Sequence, residues 1–519
     1  MERHGSESYF VIGEGLLGES VGGRTLEAAT AAPPFRFSRM GPHGQDVQLG
    51  EPNLKKIGAA MVGTGSVSQV PAGFTYLGQF IDHDLTFDKT QVTFGAHITP
   101  AQLLQARSPS LDLDSLYGAG PGDAESAKFY SDGIHLKVGN TDAAGDPALP
   151  TFDLPRVGGG GSAAARRKAL IPDPRNDENL AVAQTHLAMI KFHNRVVDSL
   201  PAALPATQKF EQARELVVKH YQWMIRTDFL TRIVKRRPID DVFKNGRKAF
   251  EVNAAPTDVP TMPIEFSVAA YRLGHSMIRE AYNWNKNFPG TGGSLDLLFT
   301  FSGLSGDFIG GDRLPSNWIA DFRRLYDFRE AGRNDLDPPG GLNRAMRIDT
   351  KIVDTLGTLP QATVGPPNFP AGDPHRNLAF RNLTRANMVR LTSGQKMLRF
   401  LRNRVGPITG LTKAQLRDGK GGATLGTLTN SQRDALLTKT PLWFWILREA
   451  ELNNGKLRGV GGRIVAETFH RAMEGSTFSI VRDKTWRPTL GPNSNTFRMV
   501  DLLLFAFDGQ ADQLNPLGN

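Results

Sequence analysis

The sequence predicts a mainly α-helical fold in one large domain, with long loops and little β structure. Three observations point that way. Apolar residues recur at intervals near three, four and seven through most of the downstream chain. Regular alternation at period two is scarce. Glycine (55 residues) and proline (33) are abundant but aperiodic, which implies many loops rather than a repeat array. With 519 residues, 39% of them hydrophobic, the chain can build a real core. No linker divides it cleanly into folding units.

In chain order, residues 1–69 are expected as an irregular arm, because AAPPFRFSRMGP reads as extended, proline-interrupted chain. Residues 70–508 form the main domain and 509–519 a polar tail. Between Thr141 and Ala165 a Gly- and Pro-rich stretch reads as a long surface connection. The helical period then marks Leu180–Leu200, Ala213–Ile233 and Ile264–Tyr282. It returns at Asn387–Arg404, Pro441–Leu452 and Ile464–Met473.

Composition excludes several chemistries. There is no cysteine, so disulfides, thiolate nucleophiles, zinc fingers, iron–sulfur clusters and thiolate-ligated haem all drop out. The longest apolar run near the C-terminus, Leu502 to Phe507, is far too short to span a bilayer. The N-terminus lacks the apolar stretch of a secretory signal, so a soluble chain is expected with its compartment open. A net charge of +9 spread over this length favours small anionic substrates. No basic stripe of the kind nucleic-acid binding needs is present.

Five clusters carry candidate chemistry. In FTYLGQFIDHDLTFD, Gln79, Asp82, His83 and Asp84 sit among large apolar residues, where burial is costly unless the polar groups are paired or bound. Taken alone, a surface salt-bridge cluster or a satisfied core histidine is the better reading. In SPSLDLDSLYG, Ser108, Ser110, Asp112 and Asp114 place oxygens on alternate residues, which suits a hard cation as well as it suits a solvated acidic turn. In PDPRNDEN, Arg175 and Glu178 read as an i,i+3 ion pair at a helix start, with Asn179 as N-cap. In YRLGHSMI, a glycine precedes His275 in a helical segment at a cost of roughly 1 kcal/mol, as if something needs close approach to the backbone. A flat macrocycle with His275 as axial ligand is one such thing. The last cluster is NMVR, beginning at Asn387.

Together, in this order, the clusters resemble the animal haem peroxidase family, the peroxidase–cyclooxygenase superfamily, in a bacterial-type form. GQFIDHDLTF resembles its distal-histidine signature, SLDLDSLYG its calcium loop and DPRNDEN with HLAMIKFHNR its catalytic-arginine helix. YRLGHSMI resembles its proximal-histidine helix and RANMVR the helix with the asparagine behind that histidine. The resemblance runs from about residue 70 to about 505.

It implies haem b and Ca²⁺ as cofactors and H₂O₂ as a substrate. His83 is then the distal general acid/base, Gln79 a distal hydrogen-bonding residue and Arg175 the distal cation. Asp82 and Glu178 occupy the ester-forming positions toward haem methyl groups. His275 is the iron ligand, Asn387 its hydrogen-bond partner and Arg272 the partner of a haem propionate. Asp84, Ser108, Ser110, Asp112 and Asp114 match the calcium ligands. In animal members a Thr and a Ser stand at the positions of Ser108 and Asp114, so the set here carries more charge. Asn179 rules out the sulfonium link one member makes through Met.

The leading expectation is a peroxidase that oxidises halide, thiocyanate or small phenols through a ferryl intermediate. The alternatives are a haem-dependent fatty-acid dioxygenase or cyclooxygenase-like oxygenase, and a non-enzymatic haem-binding interaction protein. In such oxygenases a tyrosine stands three residues before the proximal histidine. Here that residue is Arg272, with Tyr271 expected on a different side of the helix. Retention of both His83 and Arg175 argues against mere haem binding.

Overall fold

The computed structural model describes residues 8–11, 15–18, 35–44, 49–90, 92–144, 151–360, 364 and 368–519. Helices carry the architecture, as expected, and the strands among the described residues make five two-stranded ladders. The helices used below are α1 (Glu51–Met61), α2 (Gly73–Leu85), α3 (Leu180–Ser199) and α4 (Ala206–Met224). They continue with α5 (Arg236–Asn245), α6 (Leu378–Met388), α7 (Gly394–Val405), α8 (Leu442–Glu451), α9 (Gly459–Glu474) and α10 (Met499–Ala506).

At the centre α3 packs against α2, α4 and α10. Its residues 180–190 are buried all round, which is why its apolar period is blurred by His186 and Gln184. Asn179 caps it, the side chain accepting from Val182 N at 2.9 Å. The start of α2 is locked by close approach. A Cβ on Gly73 would stand 2.3 Å from the Tyr326 ring, whose hydroxyl donates to Gly73 O at 2.9 Å.

Four expectations need correction. The arm is not irregular throughout: α1 lies in it, burying Leu54, Ile57 and Met61 against α6. The polar tail contains a short helix, Ala511–Leu514, and buries Leu514 and Leu517. The stretch 264–282 is not one helix but short turns at Ile264–Ser267, Ala270–Leu273 and Gly274–Met277. Arg272 Nε donates to Ser267 O at 2.7 Å and Ser276 Oγ to Leu273 O at 2.8 Å, so side chains compete for helical carbonyls. Finally, 387–404 spans a break. α6 ends at Met388, Arg390 turns at φ 46°, and Ser393 caps α7 by accepting from Lys396 N.

Candidate active site

Four residues of α2 at helical spacing, Thr75, Gly78, Gln79 and Asp82, form one wall of a cleft. The other wall is the broken segment: Tyr271, Arg272, Leu273, Gly274, His275, Met277 and Ile278. About 50 Å³ of the cleft is wide enough for water, so the walls must part to admit a flat ring system. A Cβ on Gly274 would meet nothing within 4 Å, which leaves open space beside the proximal candidate His275.

Asn179, Gln79 and Glu178 form a hydrogen-bonded chain beside His83. Gln79 Nε2 donates to Glu178 Oε1, and Asn179 Nδ2 donates to Gln79 Oε1 at 3.0 Å. Glu178 Oε1 lies 3.6 Å from His83 Nε2. The His83 ring is buried, with Nδ1 2.9 Å from Asn176 Oδ1, while Nε2 has no hydrogen-bond partner. Burial, then the Arg175 charge, pushes the His83 imidazole down to about 3, so it is neutral near pH 7. Burial pushes the Glu178 carboxyl up to about 8 and also raises Asp82, against the opposing pull of Arg272.

Arg175 sits in a 3₁₀ turn, Pro174–Asp177. Its partner is not Glu178, as the ion-pair reading had it, but Asp173. Nε donates to Asp173 Oδ1 at 3.0 Å and Nη2 to Asp173 Oδ2 at 2.7 Å. Nη2 also donates to the carbonyls of His83 (3.1 Å) and Thr86 (2.5 Å), and the guanidinium lies 4.2 Å from the Phe87 ring centroid. The arginine thus ties the end of α2 to the 173–178 turn. Arg107 joins the same carboxylate at 2.7 Å, and the two guanidiniums hold Asp173 well below the usual range despite its burial.

On the proximal wall, His275 Nδ1 is 2.8 Å from the side-chain amide of Asn382 on α6. This corrects the expectation for Asn387, whose Nδ2 instead donates to Leu49 O at 2.8 Å near the end of α6. The apolar period suggests a helix starting at Asn387, whereas the helix that carries both asparagines ends at Met388 and places Asn382, in FRNLTR, in its middle. Asn176 was missed too, although it directly follows Arg175. Arg272 lines the cleft, its Nε held by Ser267 O.

Tyr271 also departs from expectation. It lines the same cleft, stacked on Phe266 at 4.6 Å, with a buried hydroxyl that has no hydrogen-bond partner. The short turns around Gly274 place it there, where a continuous helix points it elsewhere.

The calcium candidates come together in part. Asp84 Oδ2 accepts from Leu113 N at 3.2 Å and Oδ1 from Ser115 N at 3.3 Å, so α2 and the Ser108–Asp114 loop are joined. Asp112 Oδ1 accepts from Ser476 Oγ (2.7 Å) and Thr477 N (2.8 Å); Ser110 Oγ donates to Gly475 O, and Ser108 Oγ accepts from Ser110 N. Among the described residues no group of three or more His, Asp or Glu side chains is arranged to hold a metal ion. The expected cage is therefore not assembled in this conformation. The carboxylates still feel one another: burial, then Asp112, pushes Asp114 up to about 6, and burial, then Asp114, raises Asp84 well above its ordinary value.

Comparison with known proteins gives these residues a context. The animal haem peroxidase family model matches residues 86–302, beginning just past His83 and including Arg175 and His275. Heme peroxidase 2 of Caenorhabditis elegans is 25% identical over 173 residues, covering 33% of this chain and 23% of that protein. Thyroid peroxidase of Rattus norvegicus is 27% identical over 186 residues, covering 34% of this chain and 20% of that protein. The matched stretches thus span about a fifth to a quarter of these curated relatives' length. In fold, peroxidase A from Dictyostelium discoideum superposes with TM-score 0.57 at 15% identity, covering 95% of this chain and 96% of that one. Oryza sativa fatty acid alpha-dioxygenase gives TM-score 0.53 at 10% identity, covering 98% and 87%. The chain is thus similar in sequence to the animal haem peroxidases over residues 86–302, and in fold to peroxidase A.

Proposed function

We propose that the protein is a haem peroxidase that uses H₂O₂ to oxidise small donors, either anions such as halide and thiocyanate or phenols. The observation that carries this reading is the shared cleft: a neutral, buried His83 with an unpartnered Nε2 behind one wall, and His275 with an amide partner on the other. The donor set suits haem b. His275 would hold the iron, Arg272 would pair with a propionate, and Asp82 and Glu178 would offer carboxyls to the ring's edge. Bound there, haem supplies the redox centre through which peroxide oxidises the donor.

The chain's own groups do the proton work. His83 Nε2 takes a proton from one peroxide oxygen and returns it to the other as that oxygen leaves, within hydrogen-bond reach. Asn176 on Nδ1 holds the ring in one orientation. Gln79, fixed between Glu178 and Asn179, supplies a further polar contact in the distal space. Arg175 adds positive potential beside His83 while its own position is set by Asp173. Behind His275, Asn382 orients the imidazole without the full negative charge of a carboxylate. Ca²⁺ held by Asp84 and the Ser108–Asp114 loop would relieve the repulsion among their carboxylates and secure the end of α2.

Tyr271 favours a second reading, a haem-dependent fatty-acid oxygenase, because its hydroxyl is buried and unpartnered in the cleft. One experiment separates the two. Haem-loaded protein is assayed with H₂O₂ plus iodide or a phenol, and with a fatty acid plus O₂. The peroxidase reading expects donor turnover that falls about 10²–10⁴-fold in His83→Ala and survives in Tyr271→Phe. Fatty-acid oxygenation lost in Tyr271→Phe, with no donor turnover, establishes the oxygenase instead.

A further inference from the structure

Apart from the cleft, and sharing no residue with it, a cavity of about 570 Å³ opens between the start of α5, the start of α9 and the 405–409 loop. Its charged lining is Lys235, Arg236, Arg237, Lys248, Arg458 and Arg463 against one carboxylate, Asp241. That carboxylate is already taken: Arg463 Nη1 pairs with it, and Lys248 Nζ lies 3.2 Å away. Arg463 also pairs with Glu467. Lys235, Arg236, Arg237 and Arg458 have no ion-pair partner among the described residues, and Arg458 Nε is buried without a hydrogen-bond partner.

Two further observations bear on the positive field here: Glu449 offsets it at the start of α9, beside Arg458, and no side-chain cap offsets it at the start of α5. At the start of α9, the amides of Val460 and Gly461 are claimed by the buried Glu449. α5 has no such acceptor: its N-cap, Lys235, is extended and makes no side-chain cap, so a ten-residue helix presents its positive end beside four unpaired cations. Lys456, nearby, donates to Thr231 O and has its ammonium pKa lowered by burial and then by Lys235, Arg232 and Arg236. Cations crowded this closely repel one another unless an anion lies between them.

We propose that this cavity binds a small polyanion carrying two or more phosphate groups. The volume falls in the range of small-ligand sites. Guanidiniums from Arg237 and Arg458 offer the planar paired donors that phosphate oxygens accept, and the α5 amides complete the donor set. One phosphate cannot neutralise four unpaired cations; several linked phosphates can. Val405, Pro407 and Ile408 provide an apolar wall for any organic portion.

The test is titration calorimetry of the full haem-loaded chain with inorganic tripolyphosphate at low ionic strength. Orthophosphate serves as the comparison. The expected result is one site per chain, at least about tenfold tighter for tripolyphosphate than for orthophosphate and weakening steeply with salt. Arg236→Glu/Arg237→Glu is expected to lose about tenfold or more in affinity, while Lys128→Glu, a distant surface change, binds as wild type. Arg458→Gln, checked for fold by circular dichroism, reads the same site if the double variant does not fold. Absence of binding overturns the proposal. So does equal affinity for orthophosphate, or affinity unchanged in both the double variant and Arg458→Gln.

Discussion

Asn382 Nδ2 stands 2.8 Å from His275 Nδ1, joining two helical segments 107 positions apart in sequence. Both groups are buried, so the contact has no water to compete with it. With haem on Nε2, the imidazole proton sits on Nδ1, and the Asn382 amide must then present its oxygen. Asn382→Leu is therefore expected to shift the absorption spectrum and spin state of the haem protein and to weaken haem retention. Asn387→Ala, which removes the donor to Leu49 O, leaves the spectrum unchanged and costs about 1 kcal/mol of stability. Spectra of the two variants side by side decide the point; a perturbed spectrum in Asn387→Ala alone reverses the assignment.

The same pair shows what sequence can and cannot carry. Gln79, Asp82 and His83 lie within about one turn of a single helix, so local spacing already groups them. The helical periods at 180–200 and 441–452 likewise reproduce real helices almost to the residue. Choosing between Asn382 and Asn387 instead needs the packing of α6 on a distant segment, which no local period records. Arg175 is similar. Its spacing to Glu178 suggests an ion pair, but Asp173, as N-cap of the turn, is closer and receives both its amide and its guanidinium. Tyr271 faces the cleft because the segment breaks into short turns at Ala270–Leu273 and Gly274–Met277, where the periodicity implies one helix.

Calcium is expected to change stability through Asp84, Asp112 and Asp114. Burial raises all three carboxyls above their ordinary values, and for Asp84 and Asp114 the neighbouring carboxylates add to it. A dication favours the ionised forms and stabilises the folded state by about 2.7 kcal/mol at a hundredfold excess over its Kd. Thermal melts should rise with added Ca²⁺ and fall after chelation, and Asp114→Asn should abolish most of the response. Metal analysis finding no calcium in active, unchelated protein, together with melts indifferent to Ca²⁺, removes the site from consideration.

Glu449 gives the stability a pH dependence of known sign. Burial pushes its carboxyl up from 4.5 to about 7, although Val460 and Gly461 donate to it. The folded state therefore keeps this proton where the unfolded chain has lost it. Stability is full below about pH 4.5 for this group and declines as pH rises toward 7, by on the order of 3 kcal/mol. Glu449→Gln is expected to flatten that part of the profile. Denaturant midpoints measured at pH 5 and pH 7.5 test it: an equal drop in wild type and variant shows that Glu449 is not the source.

If the cleft holds haem as proposed, a covalent tie to it is expected from the carboxyls of Asp82 and Glu178. Asp82 lines the cleft, and Glu178 is held beside it by Gln79. Burial pushes Glu178 up to about 8, so its carboxyl is largely uncharged near neutral pH, and burial also raises Asp82; a neutral carboxyl costs less to seat against an apolar haem methyl. During turnover, H₂O₂ accepts two electrons as a methyl C–H and a carboxyl O–H are lost and a C–O bond forms. The link is thus expected to grow with exposure to peroxide and to be incomplete in freshly prepared protein. Haem should extract freely into acidic solvent before treatment and resist extraction afterwards. Asp82→Val should retain one attachment, and Asp82→Val/Glu178→Gln none, with mass spectrometry locating the modified peptides. Gln79→Ala, which frees Glu178 to move, should slow attachment at that residue while leaving the Asp82 link intact. Haem that extracts completely from the wild type after repeated turnover shows that neither carboxyl is coupled.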